Sequence, residues 1–461
     1  MLTVLANRTY RHLLAAQIIA LVGTGLATVA LGLLAFDIAG GNAGAVLGTA
    51  LAIKMVAYIG VAPVVGAFAD RLPRRGFLVA MDMVRATVAI CLPFVDQVWE
   101  VYVLIFVLQS ASAAFTPTFQ ATIPDVLPDE ADYTRALSLS RLAYDMESLT
   151  SPIIAAALLT VISFHWLFAG TALGFVASAL LVVSVVLPRS PAKPREGGIY
   201  TRTTRGMRIY LKTPRLQGLL ALSLASAAAS SMVIVNTVVI VRGMLGLGQR
   251  EVALTLATYG GGSMMAALVL PRLLDKISDR TMMSAAAAVL TAGLLVMAAL
   301  FGTGAVVWPV VLGGWFVLGI AYSMSVTPSG RLLRRSANAE DRPAVFAAQF
   351  ALSHGCWLIC YPLAGQVGAH IGQTAAFAAL AAVAGLGTVI ALWLWPASDP
   401  DFIGHSHDDL PADHPHLREA HGDGVEHNFV IDDLHPAWPG RNQTSAIGSC
   451  AEGPVLERKI G

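Results

Sequence analysis

Apolar runs of about twenty residues, each closed by a short polar stretch, follow one another from the start of the chain to about residue 396. A helix of that length crosses a hydrocarbon layer of ~30 Å. The pattern predicts twelve such helices, at 12–36, 44–69, 77–96, 100–123, 138–163, 165–187, 216–241, 251–274, 281–301, 305–329, 344–367 and 373–395. After residue 396 the pattern ends and the chain turns polar. The expected fold class is therefore an all-α membrane protein.

Composition points the same way. The 461 residues are 56% hydrophobic and 13% charged, against about 25% charged in soluble domains. This sets aside the three soluble domains that length alone suggests. The net charge of +1 matters less than where the charges lie. One set of loops holds Arg8 and Arg11, then Arg71, Arg74 and Arg75, then Arg135, the run from Arg189 to Arg215, Arg272 to Arg280, and Arg331 to Arg342. The opposite loops hold Arg242 and Arg250. By the positive-inside rule both termini and the 188–215 loop are expected on the cytoplasmic side, in a bacterial-type inner membrane. Cys91, Cys356, Cys360 and Cys450 make no paired external framework, so no disulfide is expected. The opening "MLTVLANRTYRHLLAAQ" lacks a cleavage site and reads as the first span, not a signal peptide.

The long loop divides the spans six and six. The expected organisation is a six-helix bundle over 1–187, a basic linker over 188–215, a second bundle over 216–396 and a tail over 397–461. Within the linker, "IYTRTTRGMRIYLKTPR" suggests either an amphipathic helix on anionic lipid or a solvated connector. The bundles repeat. "GAFADRLPRR" after span two matches "PRLLDKISDR" after span eight, pairing Asp70 with Asp275, Arg71 with Lys276 and Arg75 with Arg280. After spans four and ten, "TPTFQATIPDVLPDE" matches "TPSGRLLRRSANAED", and Pro152 in span five matches Pro362 in span eleven. Two homologous halves imply a transporter with its site between them.

Gly66, Asp70, Arg71, Arg74 and Arg75 of "GAFADRLPRR" resemble the signature between spans two and three of the major facilitator superfamily. Phe68 stands for its Leu and Pro73 for its second Gly. The resemblance covers about residues 10–396 and implies two six-helix halves that rock. The motif, with Asp275, Lys276 and Arg280, is then expected to act as a gate at the cytoplasmic ends. Span five, "YDMESLTSPIIAAALL", is similar to the proline-centred motif of the antiporter branch through Pro152, Ser151 and Ala155, while Glu147 replaces its first Gly. The overall pattern looks most like the branch holding drug, siderophore and nickel exporters.

Ionisable residues inside spans are costly and are candidates for function. Lys54 is near the middle of span two. Asp82 and Arg85 in span three, and Arg141 and Asp145 in span five, are spaced to pair on one helix face. They read either as structural ion pairs or as part of the transport path. Lys54 and Glu147 have no evident local partner, and Lys54, Asp145 or Glu147 is the candidate for proton coupling. The second half is nearly uncharged inside, with His354, Cys356 and Cys360 in "ALSHGCWLICYP" as a weak soft-metal candidate. Asp37 and His370 sit at outer ends, where solvent is expected.

The tail gathers His405, His407, His414, His416, His421, His427 and His435 among aspartates, a pattern that suits a transition-metal ion. Pro and Gly there predict little fixed structure, although "HNFVIDDLHPAWP" is a candidate for docking on the cytoplasmic face. Two transport readings follow: a proton-driven exporter of a transition-metal cation of the Ni/Co/Zn class, or one of an organic drug or siderophore with a regulatory tail. A membrane metal sensor is a third. No nucleotide-binding loop and no enzymatic constellation is visible, and no cofactor is required beyond a metal on the tail. The expected partners are lipid, protons and a small substrate, with no nucleic acid, for a monomer.

Overall fold

The computed structural model describes residues 2–68, 73–187, 199–338, 341–399, 402–405, 425–432 and 434–438. The first half contains α1 (Arg8–Ala39), α2 (Ala43–Phe68), α3 (Arg74–Cys91), α4 (Val98–Val126), α5 (Glu130–Leu158) and α6 (His165–Val183). A helix α7 (Ile199–Lys212) lies in the linker. The second half contains α8 (Pro214–Val238), α9 (Gln249–Leu274), α10 (Asp279–Gly302), α11 (Trp308–Val326), the short α12 (Ser329–Arg335), α13 (Arg342–His370) and α14 (Gln373–Leu394). Each of the twelve predicted spans has a long helix. Among the described residues ten stretches are long and apolar enough to cross a membrane, and one of them, Arg8–Ala62, runs over both α1 and α2. The charged α5 falls outside that set.

Helix ends follow local chemistry. α5 begins at residue 130, earlier than its apolar run, because Asp129 caps it by accepting from the Asp132 amide at 3.0 Å. α3 stops at Cys91, short of the predicted 96, where Pro93 takes the chain into a 3-10 turn. α8 continues into a π-helical turn, Val239–Met244.

Within the first half α1 packs on α5 and α6, and α4 on α2 and α3; within the second α8 packs on α13 and α14, and α9 on α11. Between halves the broadest contacts are α2 on α13 and α5 on α9. The repeat aligns α2 with α9 and α5 with α13, so these seams are one contact made twice. The α2–α13 seam is close because glycines line it. A Cβ on Gly365 would strike the Gly44 carbonyl, and one on Gly48 the Tyr361 carbonyl.

The basic segment of the linker forms a helix, α7, and it packs on α13. Arg205 donates to both Asp341 oxygens, at 2.6 and 3.0 Å, and the Tyr210 hydroxyl donates to Gln349. The tail also holds structure. Strands β1 (Phe402–His405) and β2 (Val425–Asn428) pair antiparallel, with Ile403 opposite His427. Phe429, Val430 and Ile431 are then buried. These three residues lie in "HNFVIDDLHPAWP", the docking candidate of the tail.

Candidate transport site

The repeat brings its polar groups to three levels. At the Arg-rich end each half ties the start of its third long helix to the end of its fourth or the short helix just after it. In the first half Arg74, at the start of α3, pairs with Asp125 near the end of α4. In the second half Asp279, at the start of α10, accepts from Arg331 Nε of α12 at 3.1 Å and lies 3.8 Å from Arg335 Nη1. The joints correspond, but acid and base have exchanged places. Arg75 donates to the Val183 carbonyl, and Arg280 to the Trp395 carbonyl at 2.8 Å, each fastening its third helix to the last helix of its half or the residue after it. Asp275 and Lys276 are exposed. Asp70 and Arg71 lie outside the described residues, as does the side chain of Gly66. Asp125 and Asp279 are absent from the sequence-based candidates. Their signal was the fixed offset of the repeat, which sets Asp279 opposite Arg74.

At mid-depth the first half carries its charges in two different ways. Asp82 and Arg85 are sealed: both are buried, they pair with each other, and Ser178 of α6 donates to Asp82 at 2.8 Å. The Arg85 guanidinium sits between the rings of Phe115 and Phe175, at 4.3 and 4.5 Å. This pair binds α3 to α4 and α6. Lys54 and Glu147 differ. They lie within electrostatic range of one another from α2 and α5. Neither makes a hydrogen bond or direct ion pair among the described residues. Sequence spacing gave these two no partner, because they lie on different helices far apart in the chain. Glu147 fits because α1 has Gly25 beneath it; a Cβ there would stand 2.6 Å from the Glu147 Oε1. Lys54 lies 5.9 Å from the Tyr58 ring and shares a cleft with Thr24, Thr28 and Gln109. Gln109 Oε1 is buried there without a partner. The side chains of Arg141, Asp145 and Pro152 lie outside the described residues, although α5 carries all three.

Facing Lys54 from the second half is α13. The His354 ring stacks on Tyr58 at 5.5 Å and on Phe350 at 3.9 Å, and its Nδ1 lies 2.7 Å from the Phe350 carbonyl. The soft-metal expectation for His354, Cys356 and Cys360 is therefore corrected. Positions two apart on a helix point about 200° apart. His354 faces the seam while Cys356 turns to α8, its sulfur 4.0 Å from the Leu220 carbonyl. Among the described residues no group of three His, Cys, Asp or Glu can hold a metal. Of the tail histidines, His405 and His427 are placed as strand backbone. His435 is buried against Phe429, its Nδ1 2.8 Å from Asp432 Oδ1. His407, His414, His416 and His421 lie outside the described residues.

At the end away from the arginine loops, Asp37 of α1 accepts from Arg242 Nη1 at 2.6 Å, and Arg242 stacks on Phe36 at 4.6 Å. Asp37, expected in solvent, is thus a tie between halves, and Arg242 rides on the π-helical turn. His370 stays local, with Nε2 3.1 Å from Gln366. Nearby, Asn236 of α8 donates to the Ala364 carbonyl at 3.0 Å and accepts from Gln373 at 3.3 Å.

These seams and ties can be set beside known proteins. The uncharacterized MFS-type transporter YfiS of Bacillus subtilis (strain 168) is 23% identical over 296 residues, 62% of this chain and 69% of YfiS. Macrolide efflux protein A of Streptococcus pyogenes is 26% identical over 153 residues, 31% of this chain and 38% of that protein. Among solved structures, a bacterial homologue of the human lysosomal transporter Spinster, inward-facing and unoccupied, superposes with a TM-score of 0.66 at 10% identity, over 84% of this chain and 97% of that one. The D-xylose-proton symporter does so at 0.62 and 14%, over 85% and 97%. The family profile of the Major Facilitator Superfamily matches residues 13–248 and again 219–406, once for each half. The chain is a multi-pass membrane transporter and belongs to the Major Facilitator Superfamily.

Proposed function

We propose that the chain is a proton-driven exporter of amphiphilic organic compounds, working by rocking of its halves about the α2–α13 and α5–α9 seams. The observation that carries this reading is the unpaired opposition of Lys54 and Glu147 beside the Tyr58–Phe350–His354 ring stack. A carboxylate without a direct partner in an apolar bundle can take up and release a proton, and the lysine beside it responds to that charge. The stacked rings offer apolar surface to an organic substrate, and Thr24, Thr28 and Gln109 offer hydrogen bonds. The halves are tied by Asp37–Arg242 at the end away from the arginine loops. Export gains support from the macrolide efflux relative. Glu147 is assigned the proton, Lys54 the signal of its occupancy, and the Arg74–Asp125 and Asp279–Arg331 joints keep each half rigid while it moves.

The test is accumulation in everted vesicles under an imposed pH gradient, with a radiolabelled macrolide, ethidium and Ni²⁺ as probes. Gradient-dependent uptake of an organic probe that vanishes in Glu147→Gln is expected. Uptake of Ni²⁺ alone, retained after removal of residues 397–461, would overturn the organic reading in favour of a metal carrier.

A further inference from the structure

The segment Phe429–Trp438 is folded around one aspartate. Asp432 Oδ1 accepts from the Leu434 amide at 3.0 Å and the His435 amide at 2.8 Å. Edge-on contacts from Phe429 to His435 and Trp438, at 4.8 and 5.1 Å, complete a small aromatic knot. The β1–β2 pair returns the chain from α14 to deliver this knot to the Arg-rich end.

The knot touches the second half and the linker helix together. Lys212, the last residue of α7, donates to the Pro436 carbonyl at 2.7 Å. Arg215, in the first turn of α8, lies 5.2 Å from the Trp438 ring. Asn338, between α12 and α13, donates to Asp432 Oδ2 at 3.5 Å. Ile431 and Asp432 share a groove with Arg205, Arg208 and Ile209 of α7. α7 is therefore gripped twice: by α13 through Asp341 and Gln349, and by the tail.

This grip has a consequence for motion. α7 belongs to the chain that joins the halves, and a rocking cycle must shift the ends of that chain relative to each other. A helix pinned to one half shortens the stretch free to adapt. The tail's contacts are few, non-covalent and at the rim, so they can form and break while both bundles stay intact.

We propose that residues 429–432 and 434–438 are an intramolecular brake: docked, they hold the linker helix against the second half and favour the conformation in which it is pinned; released, they let the halves populate the alternative conformation and cycle faster. The proposal rests on the rocking mechanism above but not on the identity of the substrate. In an equilibrium that a local contact biases, only its differential interaction with the two states matters. The brake acts because the knot fits α7 in its docked position.

Two measurements on the full chain test it. The first uses spin labels at Gly76→Cys and Gly330→Cys in a background with the four native cysteines replaced by serine, reconstituted in nanodiscs. Both glycines have open space around them, at the Arg-rich ends of the two halves. The double variant Ile431→Ser with Trp438→Ala is expected to change the ratio of the two distance populations by about fivefold, the low end of ordinary coupling between sites. An unchanged distribution overturns the brake. The second is a reversible lock, Lys212→Cys with Pro436→Cys, in the same cysteine-free background. Ethidium efflux from proteoliposomes is expected to fall when the disulfide forms and to recover on reduction. Equal rates in the locked and reduced states overturn the proposal, as does faster efflux in the locked state. If no form moves ethidium, the organic reading of the substrate fails, while the label distances still decide the brake.

Discussion

The two halves share a fold and a repeat, yet they fill their interiors differently. The first half is held by charge: the sealed Asp82–Arg85 pair, with Lys54 and Glu147 left exposed to each other. The second half is held by neutral hydrogen bonds. Trp315 donates to Thr237 at 2.8 Å, Ser226 to Ser325 at 2.9 Å, and Asn236 to the Ala364 carbonyl. Buried charges need full compensation and neutral groups need less. On the proposed mechanism the difference separates labour: Glu147 of the first half takes the proton, and the second half moves past it with few charges in its interior. Where the halves must be stiff they converge again, through the Arg74–Asp125 joint and its charge-reversed counterpart around Asp279.

The largest effect is expected where this asymmetry is functional. Glu147→Gln keeps the shape and removes the titratable group. Gradient-driven accumulation is expected to be lost, while thermal unfolding of the purified protein in detergent stays within a degree or two of the unmodified chain. Loss of both together would make Glu147 a packing residue over Gly25 instead of a proton carrier.

Next comes the cost of breaking each style of interior. Arg85→Ala leaves Asp82 buried with Ser178 as its remaining partner, and breaking a buried pair in this way costs about 3–5 kcal/mol. Asn236→Ala leaves neutral groups unsatisfied, at about 1–3 kcal/mol. Denaturant or thermal unfolding of the two variants side by side should rank them in that order. The reverse ranking would mean that the first half owes less to its charge than its geometry implies.

Much of this was legible beforehand, and the reason differs from feature to feature. The twelve helices were visible because a membrane span is written locally, in twenty consecutive apolar residues. The halves were visible because Asp70, Arg75, Thr116 and Pro152 recur at matching offsets. The Asp82–Arg85 pair was visible because its partners are three residues apart. The electrostatic proximity of Lys54 and Glu147, the seam tie from Asp37 to Arg242 and the docking of α7 on Asp341 bring together residues far apart in sequence, so spacing carried no trace of them. One spacing misled in the opposite direction: His354 and Cys356 look like a cluster on paper, but a helix turns them to opposite sides.

A smaller effect comes from exchanging the polarity of one joint. Reversing Asp279 alone to Arg places three guanidinium groups together and puts a new charge at a buried position, so it is expected to lower stability, by less than the loss of Arg85 because Arg331 and Arg335 reach solvent. The double exchange Arg74→Asp with Asp125→Arg gives the first joint the polarity of the second and should recover most of the stability lost in Arg74→Asp alone. A double-mutant cycle on Arg74 and Asp125 reads this directly. Absence of coupling would show that the corresponding joints are not equivalent.

The smallest change in stability is expected at the far tie, where the effect on conformation should exceed the effect on folding. Asp37 and Arg242 are partly exposed, at 38% and 23% of their side-chain surfaces, so solvent screens the pair. Pairs of this kind contribute ~0.2–1 kcal/mol, and less as salt rises. Asp37→Asn should therefore leave the unfolding temperature almost unchanged. Yet the tie exists only when the far ends of the halves are together, so its whole interaction is differential between the closed and opened conformations. A shift of ~1 kcal/mol multiplies the ratio of two states by about five, which unfolding cannot see and a distance measurement can. Labels on the far ends of α1 and α9 should report more of the separated state in Asp37→Asn than in the unmodified chain at low salt, and the two should converge at high salt. A salt-independent difference would place the origin in the Phe36 stack on Arg242 and not in the charge.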